Sequence, residues 1–213
     1  MLVKLIRHTP EPDKLCGEAA AMCTAYEGDP IKALNGAMSR GHESVSEHAS
    51  FTFYVDGVSR ALLAQLTRHR IASFSVQSQR YVRMDGMPCV VPGTIKANEE
   101  LHHRFKHLVR EINEFYVSAI QQGIPKEDAR YITPQGACTE MIFTMNTREL
   151  LHFFELRTCN RAQWEIRELA DLMLAECKVV APELFKRAGC ACMKGLPCPE
   201  GKASCGKPRG GKA

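Results

Sequence analysis

The chain has 213 residues, of which 45% are hydrophobic and 24% charged, with a formal net charge of +4. This is the make-up of an ordinary globular protein with a sizeable core. It excludes a disordered chain and, with no apolar run near the ~20 residues a bilayer requires, a helical membrane protein. From Met193 onward five basic residues (Lys194, Lys202, Lys207, Arg209, Lys212) face one acid, Glu200. Removing them from 28 basic and 24 acidic residues leaves 23 of each, so the body is neutral and its basic motifs suit a small anion better than a polymer.

In chain order, Val3 to Ile6 reads as a strand and Glu11 to Tyr26 as an Ala-rich helix. Met1 to His8 lacks the features of a signal peptide, so a cytoplasmic location is expected. Asp29-Pro30 starts a second helix that runs to about Arg40, with Pro in its first turn. Phe51, Phe53 and Val55 alternate with Thr52 and Tyr54, which predicts a half-buried strand over Ala49 to Val55. Ser59 to His69 carries Leu62, Leu63 and Leu66 at helical spacing, and a long helix is expected from Glu99 to Gln122. A strand over Ala137 to Met145 precedes helices over Thr147 to Arg157 and Arg161 to Val179, the latter with Asn160 as N-cap. A short helix is expected after Pro182. No regular βαβ rhythm appears, so the expected class is α+β: an antiparallel sheet packed with several long helices in a single domain. That domain spans 1–189, and 190–213 form a Cys, Gly and Lys-rich mobile tail.

Ten cysteines invite a disulfide framework, but six are scattered through predicted elements, and reduced thiols are expected. Cys190, Cys192, Cys198 and Cys205 have gaps that fit no tight pair of zinc knuckles. Cys89 precedes two valines and lacks a neighbouring base, so it reads as a small buried hydrophobe. His42, Glu43, Glu47 and His48 show no helical His spacing, and no metal site is expected there. Ser44 with Glu47 instead fits a capping box.

The chemistry concentrates in Arg68-His69-Arg70-Ile71-Ala72-Ser73-Phe74-Ser75-Val76-Gln77-Ser78-Gln79-Arg80. Guanidinium groups bind phosphates with fixed geometry, and hydroxyls and amides read the edges of heterocycles. Such density predicts the floor of a nucleotide site. No Walker loop or Gly-x-Gly-x-x-Gly occurs, so side chains must hold any dinucleotide. Downstream, Leu150, Phe153 and Phe154 share a helical face with Arg157, while Arg148 and His152 lie about half a turn away. A guanidinium on an apolar face needs an acceptor or an anion, and a buried carboxylate is the simpler partner.

Arg68-His69-Arg70, seven residues, then Ser78 resembles the signature of the flavin-dependent thymidylate synthases, and the resemblance runs from His42 to Trp164. It implies reductive methylation of dUMP to dTMP. Methylenetetrahydrofolate donates the carbon, reduced FAD the hydride, and NADPH re-reduces the flavin. It implies FAD contacts by His42, Ser44, Glu47, Arg68, His69, Arg70, Asn146, Arg148 and His152. It also implies dUMP contacts by Gln65, Arg68, Gln77, Ser78, Gln79, Arg80, Arg130 and Arg157, with Arg157 catalytic at the uracil ring. Flavin sites between subunits of a homotetramer are implied too. Many members carry Asn-Glu where this chain has Ser75-Val76, leaving Val76 only backbone groups to offer the flavin. Three other readings compete. A nucleic-acid module would use the arginines and basic tail, and a zinc-binding interaction protein would work through the tail. A cysteine-dependent synthase would need Cys-His where Cys89-Val90 stands.

Overall fold

The computed structural model describes residues 1–210. Lys212 and the rest of 211–213 lie outside them. The elements are β1 (Leu2–His8), α1 (Pro12–Thr24), α2 (Pro30–Ser39), a 3-10 turn (Glu43–His48), β2 (Ser50–Ser59), α3 (Arg60–Leu66) and β3 (Ala72–Val76). They continue with α4 (Gly93–Lys96), α5 (Glu99–Gln121), α6 (Lys126–Ala129), β4 (Cys138–Asn146), α7 (Thr147–Arg157) and α8 (Trp164–Val180). The four strands form an antiparallel sheet in the order β1-β2-β4-β3, giving the expected α+β class. Among the described residues no helix is long and apolar enough to cross a membrane.

The chain folds into two compact units. The smaller comprises residues 1–2, 55–65 and 75–141, and the larger comprises 3–54, 66–74 and 142 onward. The arginine motif passes from the larger to the smaller between Phe74 and Ser75.

In the larger unit, Phe51, Phe154 and Phe185 meet edge to face, with centroids 5.3 and 5.8 Å apart, and Phe53 stacks on Phe143. Rings that large dominate the area removed from water. Helices α1 and α2 pack closely because position 17 is glycine. A Cβ there would lie 2.3 Å from the Pro30 carbonyl oxygen. Asp29 caps α2 by accepting from the Ile31 amide at 2.9 Å, with Pro30 at the first helical position. In the smaller unit, α5 buries Tyr116 against Met84, Met87, Ala129 and Ala137, and its hydroxyl accepts from the Met84 amide at 3.3 Å.

Four local expectations are corrected. Helix α8 begins at Trp164, not Arg161, because the Gln163 side chain accepts from the Glu165 and Ile166 amides; Asn160 instead donates to the Lys207 carbonyl. After Pro182 the chain turns without forming a helix, held where Asp13 accepts from the Glu183 and Leu184 amides. The helix expected over Ser59 to His69 is shortened to α3. Ser59 ends β2 and caps α3 by accepting from Leu62, and His69 is withdrawn into the core. Ser44 and Glu47 form no capping box: the 3-10 turn has no side-chain cap, and Glu47 pairs with Arg148.

Candidate active site

Asn146 is the N-cap of α7, accepting from the Glu149 amide at 2.9 Å, and the Thr147 amide donates to the Ala49 carbonyl. These bonds fix where Glu149 sits. Its buried carboxylate accepts from Nδ1 of His69 at 2.7 Å, and Nε2 of His69 accepts from Nε of Arg157 at 3.2 Å. One proton on Nδ1 and a lone pair on Nε2 satisfy both bonds, so the imidazole is neutral. His69 is 4% exposed and lies edge-on to the Phe153 ring. Burial pushes its pKa below the ordinary histidine range, and the Arg157 charge adds to this against the opposing pull of Glu149.

Arg157 therefore reaches its carboxylate through an imidazole instead of directly. Only Nε is committed; among the described residues its terminal nitrogens make no protein hydrogen bond. Burial lowers its pKa, and the nearby Arg68 charge lowers it further. A bound anion would offset this mutual repulsion. Arg68 and Arg70 are exposed.

The same unit holds a cavity of about 1060 Å³ lined by Glu47, Ile71, Asn146, Arg148, Glu149 and His152 among others. Arg148 is ion-paired with Glu47, whose hydrogen bond raises the guanidinium pKa. His42 and Ser44 line a separate cavity of about 650 Å³ between α1 and α2. His69, Glu149 and His152 bring ligand-type atoms within 4.8 Å of one another. Both His69 nitrogens are already engaged and a guanidinium adjoins Nε2, an arrangement suited to a hydrogen-bond relay and hostile to a cation.

In the smaller unit, Gln77 donates to the Glu140 carboxylate at 2.5 Å while its amide pairs with the Glu140 carbonyl. Ser78 begins a turn, its carbonyl accepting from Tyr81 and Val82 and its hydroxyl from the Arg80 amide. Arg80 pairs with Glu127 at 2.8 Å, and Arg130 donates to the Glu127 carbonyl at 3.1 Å. Gln79 donates to the Met84 sulfur at 2.9 Å, and Gln65 is half-buried near the end of α3. Val76 ends β3, half-buried. Thus Gln77, Arg80, Arg130, Glu127 and Glu140 are tied in local pairs. His42 and Ser44 are not brought into the cavity that holds Asn146, Arg148 and His152.

Three residues had escaped the sequence reading. Glu149 follows Arg148 in an ordinary helical run, and only its N-cap bond and burial reveal it. Glu127 lies among charged residues of α6. Arg60 has Nη1 buried without a hydrogen-bond partner, and burial and the Arg130 charge lower its pKa. Its apolar surroundings, Val58, Leu62 and Leu63, were the available signal. Cys89 is half-buried, and burial pushes its thiol up to about 11, away from the range of a reactive cysteine.

Residues 4–183 match the family model described as thymidylate synthase complementing protein. The chain is 49% identical to the flavin-dependent thymidylate synthase of Geobacter sulfurreducens, covering 97% of this chain and 94% of that one. It is 43% identical to the enzymes of the same name from Clostridium tetani (96% and 93% covered) and Nitratidesulfovibrio vulgaris (96% and 94%). The sequence motif, Arg157 held on neutral His69 and these matches lead to one conclusion: the chain belongs to the flavin-dependent thymidylate synthase family.

Proposed function

We propose that the chain methylates dUMP to dTMP with methylenetetrahydrofolate as carbon donor, using FAD that NADPH reduces, as a cytoplasmic homotetramer. The observation that carries this reading is the Glu149–His69–Arg157 chain, which holds a guanidinium with two uncommitted nitrogens beside Arg68. Family membership leaves the nucleic-acid reading without support.

The residues present fit a flavin dinucleotide. The large cavity has the size of a ligand pocket and combines cations for a diphosphate (Arg148, Lys186, Arg187) with Asn146, His152 and Ile71 for ring and sugar. Asn146, Arg148, His152 and Glu47 hold the cofactor, with Arg68 and Arg70 from the motif, while His69 serves from behind them with its nitrogens taken by Glu149 and Arg157. His42 and Ser44 serve a flavin shared with another subunit. When bound, the reduced flavin supplies the hydride that completes the methyl group.

Gln65, Gln77, Ser78, Gln79, Arg80 and Arg130 bind the nucleotide with Arg68 and Arg157. Arg60, with its unpartnered Nη1 and the Arg130 charge acting on it, adds positive charge for the phosphate. Arg157 directs its terminal nitrogens at the uracil ring and stabilises negative charge growing on N3 and the carbonyl oxygens. Preset donors of this kind are the largest contributors in such sites. No thiol attacks the base, in keeping with the unreactive Cys89. The test is anaerobic incubation with dUMP, methylenetetrahydrofolate, FAD and NADPH, followed by chromatography. The reading predicts dTMP that disappears when dUMP, methylenetetrahydrofolate or NADPH is omitted. Absence of dTMP from the complete mixture overturns it.

A further inference from the structure

The segment expected to be a mobile tail makes specific contacts with the end of α7 and with α8. Arg209 donates through Nη1 to the Thr158 carbonyl and grips Asp171 with both terminal nitrogens, at 3.0 and 2.8 Å. The Cys190 amide donates to the Thr158 hydroxyl at 2.8 Å, and Cys190 is only 3% exposed. Its Sγ lies 3.3 Å from Sγ of Cys192, which is partly exposed and accepts from the Arg209 amide, also at 3.3 Å.

We propose that Cys190 and Cys192 form a redox-active dithiol that a low-molecular-weight disulfide oxidises to an intramolecular disulfide. The two sulfurs differ in the way such chemistry needs. Cys192 is reachable, and the Arg209 amide bond holds its thiol below the ordinary cysteine range. Cys190 is enclosed, and burial raises its thiol. Cys192 therefore attacks and Cys190 resolves.

In the first step Cys192 loses its proton, and its sulfur bonds to one sulfur of the small disulfide. The S–S bond breaks, and the departing thiolate takes up the proton. In the second, the Cys190 sulfur bonds to Sγ of Cys192 as its own proton passes to the second departing thiolate. Two cysteine sulfurs are oxidised and one disulfide is reduced to two thiols. Closure requires the sulfurs to approach by roughly 1.3 Å, well within the play of a one-residue spacing next to a turn.

The test uses the whole protein and oxidised glutathione, followed by alkylation and tryptic mapping. Cleavage after Arg187 and Lys194 releases Ala188–Lys194, which carries these two cysteines and no other. The proposal predicts that this peptide becomes lighter by two hydrogens and loses its alkyl labels before exposed Cys23 or Cys198 takes up glutathione. In Cys190→Ser the mixed disulfide is trapped on Cys192, and in Cys192→Ser the remaining Cys190 stays alkylatable. A doubly alkylated 188–194 peptide alongside glutathionylated Cys23 and Cys198 would overturn it. So would a bond from Cys192 to Cys198 or Cys205.

Discussion

Replacing Glu149 by Gln separates charge from shape in the chain that orients Arg157. The carboxylate and His69 are both buried, with side-chain exposures of 7% and 3%, and meet at 2.7 Å, so little solvent screens the bond. A buried hydrogen bond to a charged acceptor contributes about 1.5–3 kcal/mol, and a neutral one about 0.5–1.5 kcal/mol. The substitution therefore removes roughly 1 kcal/mol from the bond itself. The larger effect is on the tautomer. The Gln amide can donate to Nδ1, which moves the imidazole proton to Nε2 and removes the acceptor that Nε of Arg157 uses. Losing that alignment in the reaction's transition state costs about 1.5–3 kcal/mol, or roughly ten- to a hundredfold in turnover. The assay is kcat for dTMP formation, with flavin content from the visible spectrum and Tm measured on the same samples. The expected result is a large fall in kcat with near-normal flavin content. Wild-type kcat and an unchanged pH profile in Glu149→Gln would refute the reasoning.

Arg157→Ala should reduce turnover far more than FAD content, measured by activity and flavin absorbance. Arg68→Ala, which removes an exposed charge acting on Arg157, should weaken retention of cofactor and nucleotide together in equilibrium titrations. Because burial lowers the His69 pKa, its neutral form contributes stability and alignment at pH above about 6.5, lost as the pH falls through the lowered value. Tm and the acid limb of kcat should accordingly fall below pH 6.5, and a kcat limb centred above it would contradict the assignment. Asn146→Ala removes the α7 N-cap and should cost ~1 kcal/mol in denaturant unfolding while lowering kcat through Glu149.

The long helices were legible because their apolar spacing is strong: α5, α7 and α8 lie close to where periodicity put them. Strand β3 was not, although its alternation is present. Ala72, Phe74 and Val76 are half-buried while Ser73 and Ser75 face out, and five residues framed by arginines mask that period. The start of α8 was misplaced because Asn160 and Gln163 both suit a cap, and only the fold decides which one does. At the site, Arg157 on its apolar face was readable from spacing. Its partner was not, since a carboxylate reached through His69 depends on that histidine meeting residues 80 and 88 positions further along the chain. Arg60 shows the same limit, for burial of one guanidinium nitrogen is a property of packing. The contacts of Arg209 with Thr158 and Asp171 likewise leave no trace in a segment rich in Gly, Pro and Lys.

The most direct test of the central claim is the visible spectrum of the purified protein, reduced with NADPH without oxygen and then mixed with dUMP and methylenetetrahydrofolate. The account predicts a bound flavin whose bleached absorbance returns as dTMP forms, and returns much more slowly in Arg157→Ala. A protein that binds no flavin even with FAD added, or whose reduced flavin ignores the two substrates, would contradict it.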